Sequence, residues 1–228
     1  MYYSMFDSTY LLVIIGMLLA GWASSRVKSS FNKYNDLETE KRIAGKDAAQ
    51  LILQGAGIHN VRVEPIRGQL TDHYDPQNKV LRLSEATYAS TSVAAVAVAA
   101  HECGHAVQDA QNYGFLRLRA ALVPVVNIGS QAAMPLIFIG LLMQWMGLVK
   151  LGIFAFTLVL LFQIVTLPVE FDASKRALQI LEGQGVFSMA ELPGARKVLR
   201  AAAFTYVAAA ISTALQLFRL ILISRRRD

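Results

Sequence analysis

Three apolar segments with few charged side chains are separated by polar stretches along the chain. The first segment, residues 8–25, contains no charged side chain. At a rise of ~1.5 Å per residue, a helix of this length just crosses the hydrocarbon core of a membrane. A secretory signal peptide is the weaker interpretation, because Asp7 precedes the segment and no Lys or Arg does. We therefore predict a transmembrane anchor over residues 1–25.

The second apolar segment is long enough for two membrane spans. Between residues 120 and 169, Lys150 is the one charged side chain before Glu170. This length exceeds a single span and fits two spans of ~20 residues joined by a tight turn. We predict a transmembrane hairpin over residues 121–168, with its turn near residues 145–150.

The third apolar segment, within residues 201–228, allows two interpretations. It is uncharged over residues 201–218 and is followed by Arg219 and a triple arginine at 225–227. A span here would place the triple arginine outside the cell, against the positive-inside rule, whereas a packed or interfacial helix would keep it in the cytoplasm. The apolar length favours a span.

The charges beside the first segment predict the orientation of the chain. Arg26, Lys28 and Lys33 follow that segment at once, and the positive-inside rule places this side of the membrane in the cytoplasm. Residues 26–120 would then be cytoplasmic. Because the hairpin returns the chain to the same side, residues 169–200 would also be cytoplasmic.

The polar stretches contain helical and strand-like patterns. Apolar residues recur at helical spacing over residues 36–55, and residues 61–64 and 80–83 alternate like short strands on either side of a turn at 71–78. A further helix is predicted to begin near Pro168. The expected fold is mainly α: a membrane-embedded helical protein with a small β-hairpin or meander.

Composition supports a membrane protein and argues against a nucleic-acid-binding one. Hydrophobic residues make up 54% of the chain, and the mean hydropathy is +0.41, both high for a soluble protein. The net charge is +6, but the basic residues flank apolar segments and form no aromatic–basic recognition motif. Anionic lipid is the better partner for such charge. The single cysteine, Cys103, cannot form an internal disulfide.

The sequence His101-Glu102-Cys103-Gly104-His105 carries the candidate chemistry. Residues i and i+4 of a helix share a face, so His101 and His105 can bind one metal ion, and Glu102 beside them can act as a general base. The alternative is an ordinary helix with two surface histidines. The small Gly104 would let another element approach the helix closely.

A third metal ligand is expected, because a catalytic zinc usually takes three protein ligands and water. The other histidines, His59 and His73, both lie upstream, so the third ligand is a carboxylate or one of these two. Glu170 is the favoured carboxylate, since two spans between it and the motif return the chain to the motif's side of the membrane. Asp172 competes but should face elsewhere, and Glu170 could instead simply cap a helix.

These motifs resemble those of a known family. The His-Glu-Cys-Gly-His motif, the segment 170–174 and the turn at 72–76 followed by residues 80–84 are similar to those of bacterial membrane zinc metallopeptidases of the YugP type, over nearly the whole chain. The distantly similar HtpX group of membrane metalloproteases has a Glu-x-x-x-Asp pair on its second helix. The resemblance implies that Glu170 binds zinc and that Ser174 replaces the aspartate behind a histidine, as a weaker hydrogen-bond partner. It also implies a gluzincin-like pair of catalytic helices, with residues 26–120 as the cytoplasmic catalytic part that contains the motif helix.

The expected function is that of a membrane-bound zinc endopeptidase in which Glu102 is the general base for a zinc-activated water. The chain would be a multi-pass protein of the inner or plasma membrane, with its catalytic side in the cytoplasm. Its partners would be the lipid bilayer and a peptide or membrane-protein substrate, in keeping with quality control of membrane proteins. The strand at 80–83 would pair with an extended substrate. Candidates for stabilising the oxyanion are Tyr206, Arg196 and His73.

Two other functions fit the sequence less well. An intramembrane zinc protease would hold the motif inside the bilayer, but charged residues follow the motif closely and no Asp-Gly partner motif lies in a later span. A scaffold or chaperone with structural zinc would need four protein ligands rich in cysteine, and Cys103 is the single cysteine. The sequence predicts neither the natural substrate nor the oligomeric state.

Overall fold

The computed structural model describes residues 8–225; residues 1–7 of the predicted anchor and residues 226–228 of the basic tail lie outside this range. Within it the chain is mainly α, as predicted. The helices are α1 Tyr10–Asn35, α2 Gly45–Gly55, α3 Glu85–Tyr88, α4 Val93–Ala110, α5 Gly114–Leu142, α6 Met146–Gly183 and α7 Leu192–Arg225. The strands are β1 Arg62–Ile66, β2 His73–Asp75 and β3 Val80–Ser84.

Four helices of the described chain, α1, α5, α6 and α7, are long and apolar enough to cross a membrane. The helix α7 contains the third apolar segment, and its length and composition therefore agree with a span. The chain divides into two compact units. The described part of the first unit consists of residues 8–24, 118–167 and 205–225.

Small residues let the helices of the first unit approach closely. The Ser212 hydroxyl of α7 donates to the Gly16 carbonyl of α1 at 2.7 Å. A Cβ atom on Gly152 of α6 would lie 2.8 Å from the Ala133 carbonyl oxygen of α5. Such close contacts of small residues are typical of membrane helices. The helices α5 and α6 form an antiparallel hairpin, and its turn at residues 143–145 lies slightly before the predicted one.

The second unit consists of residues 25–117 and 168–204 and contains the sheet. The strand order is β1-β3-β2, with β1 parallel and β2 antiparallel to β3. The sheet therefore contains a hairpin, but it is formed by β2 and β3, and β2 lies within the predicted turn at 71–78. The two predicted strands, at 61–64 and 80–83, correspond to β1 and β3 and are parallel, so they form neither a hairpin nor a meander. His73 lies in β2, opposite Arg82, rather than in a turn. The most buried strand, β3, lies in the middle.

The core of the second unit forms around α4. The Ser92 hydroxyl caps this helix by accepting a hydrogen bond from the Ala95 amide at 3.1 Å, which satisfies a donor that would otherwise be unpaired. The many buried alanines of α4 allow its neighbours to pack closely. Cys103 is fully buried, and its thiol contacts the Ala49 carbonyl of α2 at 3.6 Å, so its role here is packing.

Two predicted helix boundaries are wrong. The helix expected over residues 36–55 begins only at Gly45, because residues 36–44 instead form a connection in which Thr39 donates its amide to the Thr91 carbonyl at 2.9 Å. The helix expected to begin near Pro168 is the distal part of α6, and Pro168 lies inside it. Membrane helices tolerate an internal proline because neighbouring groups satisfy the freed backbone carbonyl.

Candidate metal centre

The helix α4 brings the three residues of the motif to one region. The rings of His101 and His105 lie one turn apart, with centroids separated by 4.8 Å and planes inclined at 79°. Glu102 follows His101 on the helix, and its side chain is buried. The predicted helical context of the motif is therefore present.

Glu170 of α6 meets both imidazoles. Its Oε2 atom lies 3.3 Å from His101 Nε2 and 3.7 Å from His105 Nε2. One donor atom from each of the three side chains lies within 4.8 Å of the other two. The Glu170 side chain is only 3% exposed, whereas that of His101 is 14% exposed. The His105 side chain is 10% exposed, so Glu170 is the most deeply buried of the three.

The spacing and chemistry of these donors fit zinc. Tetrahedral zinc with bonds of about 2.0–2.2 Å places neighbouring donor atoms about 3.3–3.6 Å apart, which is close to the distances from Glu170 Oε2 to the two imidazoles. Two nitrogens and one oxygen are also a usual ligand set for catalytic zinc. Among residues 8–225, no other group of this kind is found, so neither His59 nor His73 belongs to a metal-ligand group.

Gly104 makes the approach of α6 possible. A Cβ atom at this position would lie 2.5 Å from the carbonyl oxygen of Ala173. Since that oxygen belongs to the backbone, it could yield only if the helix moved. The absence of a side chain at Gly104 therefore permits the close approach of α4 and α6 that brings Glu170 to the histidines.

Each imidazole is also held at the nitrogen that faces away from Glu170. The Ser174 hydroxyl lies 3.2 Å from His101 Nδ1, at the position that the family resemblance implies. Gln108 Oε1 lies 3.0 Å from His105 Nδ1. Gln108 is not among the residues predicted from the sequence, although its position three residues after His105 puts it on the same helix face.

Asp172 faces Gln108 and not the metal-ligand group, in agreement with the expectation that it is not a ligand. Gln108 Nε2 donates to Asp172 Oδ2 at 2.8 Å and to the Val169 carbonyl at 2.8 Å. The Arg176 guanidinium donates to the same Asp172 oxygen. The carboxylate of Asp172 therefore has two donors, one of them charged.

The electrostatic surroundings of His105 favour positive charge. Burial by itself lowers the pKa of His105, but the hydrogen bond with Glu170 and the negative charges of Glu102 and Glu170 outweigh it, and the pKa is raised. A zinc ligand must be an unprotonated imidazole, so protons and metal compete for this residue. The same negative surroundings favour a cation at the centre.

The three candidates for stabilising an oxyanion lie in different parts of the chain. His73 is in β2, where its Nδ1 lies 2.8 Å from the Thr71 carbonyl oxygen and its Nε2 lies 3.4 Å from an Arg82 nitrogen. Arg196 is exposed near the start of α7. Tyr206 belongs to the first unit. The assignment of this role therefore stays open.

Comparison with known proteins identifies the family of the chain. A family profile described as "Putative neutral zinc metallopeptidase" matches residues 9–225. The chain belongs to this family. It is also similar to a Bacillus subtilis (strain 168) protein named "Putative membrane protease YugP", with 46% identity over 213 residues that cover 93% of this chain and 94% of that protein. No solved structure matches the chain.

Family membership confirms the predicted family and the predicted cofactor, zinc. The family description and the name of the relative support a zinc protease. The four apolar helices and the word "membrane" in that name agree with a multi-pass membrane protein. The individual roles of the site residues and the orientation are proposals.

Proposed function

We propose that this chain is a membrane-embedded zinc endopeptidase whose metal ligands are His101, His105 and Glu170. The observation that carries the proposal is the meeting of three donor atoms from α4 and α6 within 4.8 Å of one another. The two distances from Glu170 Oε2 to the imidazole nitrogens, 3.3 and 3.7 Å, are close to those between neighbouring ligands of tetrahedral zinc. Family membership adds the chemistry expected at such a centre.

Zinc, when bound, supplies a Lewis acid that polarises a carbonyl group and increases the acidity of water. Glu102 is the general base in this proposal. Glu102 follows His101 directly on α4 and is buried, and its negative charge acts on His105. In this role its carboxylate would accept a proton from the attacking water. The same carboxylate then delivers a proton to the leaving amine.

The outer edge of β2, and not β3, is our candidate for pairing with an extended substrate. The proposal for the strand at 80–83 is wrong because β1 and β2 cover both edges of β3. Within the described sheet, β2 has a partner on one edge only. Its Tyr74 hydroxyl donates to Asp109 of α4 at 2.6 Å, one turn beyond His105, so this strand is anchored next to the catalytic helix.

Main-chain pairing along such an edge gives affinity with little sequence selectivity. This property would suit an enzyme that removes damaged or misassembled membrane proteins. We therefore propose membrane-protein segments as substrates and quality control as the role. We place the catalytic unit in the cytoplasm because Arg26, Lys28 and Lys33 follow the apolar part of α1.

The two other functions have less support. The motif lies on α4, which is not among the four described helices long and apolar enough to cross a membrane; this argues against an intramembrane protease. The described metal-ligand group has three side chains, whereas a structural zinc site usually has four; this argues against a zinc-stabilised scaffold.

The variant Glu102→Gln tests the proposal. We expect the purified, zinc-loaded variant to cleave an unfolded model protein about 10²–10⁴-fold more slowly, because it lacks the general base. Its zinc content should be unchanged, since Glu102 is not a ligand. The matched control is Glu182→Gln, an exposed position near the end of α6. If Glu102→Gln cleaves as fast as this control, the mechanism is wrong.

A further inference from the structure

We propose that Gln108 is a positioning residue for His105, and that Asp172 and Arg176 hold it in place. This inference rests on the proposed metal centre. It concerns how the imidazole of His105 is oriented before the metal binds. Gln108 is fully buried, and its side chain joins α4 to α6. A buried amide in this position must have each polar atom matched to a partner of the right kind.

The partners of Gln108 determine which way its amide group points. The Val169 carbonyl oxygen and the Asp172 carboxylate oxygen, each 2.8 Å away, both accept hydrogen bonds. Only the –NH2 end of an amide can donate to them. Two independent acceptors therefore place Nε2 toward α6, and Oε1 must face His105.

The direction of the amide in turn determines the proton position on His105. Gln108 Oε1 is an acceptor located 3.0 Å from His105 Nδ1, so the neutral ring carries its proton on Nδ1. The lone pair is then on Nε2, the atom that faces Glu170 at 3.7 Å. A zinc-ligating histidine needs this arrangement, and its partner at the other nitrogen usually enforces it.

Arg176 keeps Asp172 in position for this role. Its Nε donates to Asp172 Oδ2, and its Nη1 donates to Gln111 Oε1. The guanidinium carbon also lies 5.7 Å from the centroid of the Tyr113 ring. Because Gln111 and Tyr113 directly follow α4, Arg176 links the end of that helix to α6, close to Gln108.

The other histidine lacks such a directional constraint. The Ser174 hydroxyl beside His101 Nδ1 can rotate and either donate or accept. If the Gln108 amide were reversed, its oxygen would face two other acceptors, the Val169 carbonyl and the Asp172 carboxylate. The two metal-binding histidines are thus held differently, and the tautomer of His105 is the one that its neighbours impose.

The test compares the zinc affinity of variants of the full-length purified protein, by competition with a chromophoric chelator. Gln108→Glu places a carboxylate oxygen against Val169 and Asp172, so we expect zinc affinity about 10–100-fold lower than in the parent. Adding Asp172→Asn should recover part of the loss, because the new amide can donate to Glu at position 108. Gln77→Glu, at an exposed site in the β2–β3 turn, is the matched control and should bind zinc as the parent does.

Recovery in the double variant distinguishes positioning from simple packing, because loss of packing would not depend on the charge at position 172. If Gln108→Glu does not fold, Gln108→Met keeps the side-chain volume without polar atoms and should lower zinc affinity by at least about tenfold. Parental affinity in Gln108→Glu or Gln108→Met, or no recovery in the double variant, would overturn the inference. Glu170→Gln tests the metal centre separately from the role of Gln108. If Glu170→Gln binds zinc weakly but the Gln108 variants bind it as the parent does, the metal centre is supported and only the role of Gln108 is wrong. If Glu170→Gln binds zinc as tightly as the parent, the proposed metal centre is wrong.

Discussion

The close contact at Gly104 gives the sharpest prediction about the assembly of the centre. In Gly104→Ala, the new Cβ atom would lie 2.5 Å from the Ala173 carbonyl oxygen, while ordinary contact begins at 3.4 Å. The two helices would therefore have to separate by 3.4 − 2.5 Å, or about 0.9 Å. Glu170 precedes Ala173 by less than one turn on α6, so its carboxylate would move away from the histidines with the helix.

Zinc centres tolerate changes in bond distance of only about 0.2 Å. A shift of about 0.9 Å should cost at least as much as the loss of a supporting residue, so we expect zinc affinity to fall by about 100-fold. The effect on folding should be smaller. Overpacking typically costs ~1–3 kcal/mol, and replacing glycine by alanine inside a helix returns up to ~1 kcal/mol through helix propensity.

Chelator competition and thermal unfolding of the metal-free protein would measure these two effects separately. The matched control is Gly183→Ala at the end of α6, where an added Cβ atom would meet nothing within 4 Å. We expect this control to keep parental zinc affinity. If Gly104→Ala bound zinc within about twofold of the control, the packing of α4 against α6 could not be what sets the ligand geometry.

Two further predictions concern the second histidine partner and the orientation. Ser174→Ala removes the hydroxyl beside His101 Nδ1 and should lower zinc affinity by about tenfold. Ser174→Asp should bind zinc at least as tightly as the parent. If Ser174→Ala binds zinc as tightly as the parent in chelator competition, Ser174 does not act on the histidine. The native Cys103 is buried, so an introduced cysteine can report topology. In intact cells a membrane-impermeant maleimide should label Gln144→Cys, in the turn between α5 and α6, but should label Gln77→Cys only after permeabilisation; the reverse pattern would place the catalytic unit outside.

The parts of the site that follow a fixed local geometry can be predicted from the sequence. The spacing of His101 and His105 is enough to predict a shared helix face, and the parity of two spans is enough to predict that Glu170 returns to the same side. Gly104 can be recognised as a place for close approach. Each of these inferences needs only helix periodicity, membrane thickness or the small size of glycine.

Features that depend on tertiary packing could not be predicted in the same way. Residues 61–64 and 80–83 alternate like strands, but alternation does not say that β1 lies parallel to β3 with β2 on the far edge. Pro168 predicts a helix boundary, yet α6 continues through it. The role of Gln108 depends on Val169 and Asp172, which are distant in sequence and become its neighbours only when α4 and α6 pack.

The long separation between Glu170 and the motif has a consequence for biosynthesis. Glu170 follows His101 by 69 residues, and α5 with most of α6 lies between them. A ribosome therefore completes the two histidines well before it makes the carboxylate. Until residue 170 has been made, the nascent chain lacks one of the three proposed ligands. On our proposal, proteolysis would therefore begin only after α5 and most of α6 have been made, which protects the cytoplasm during the earlier part of synthesis.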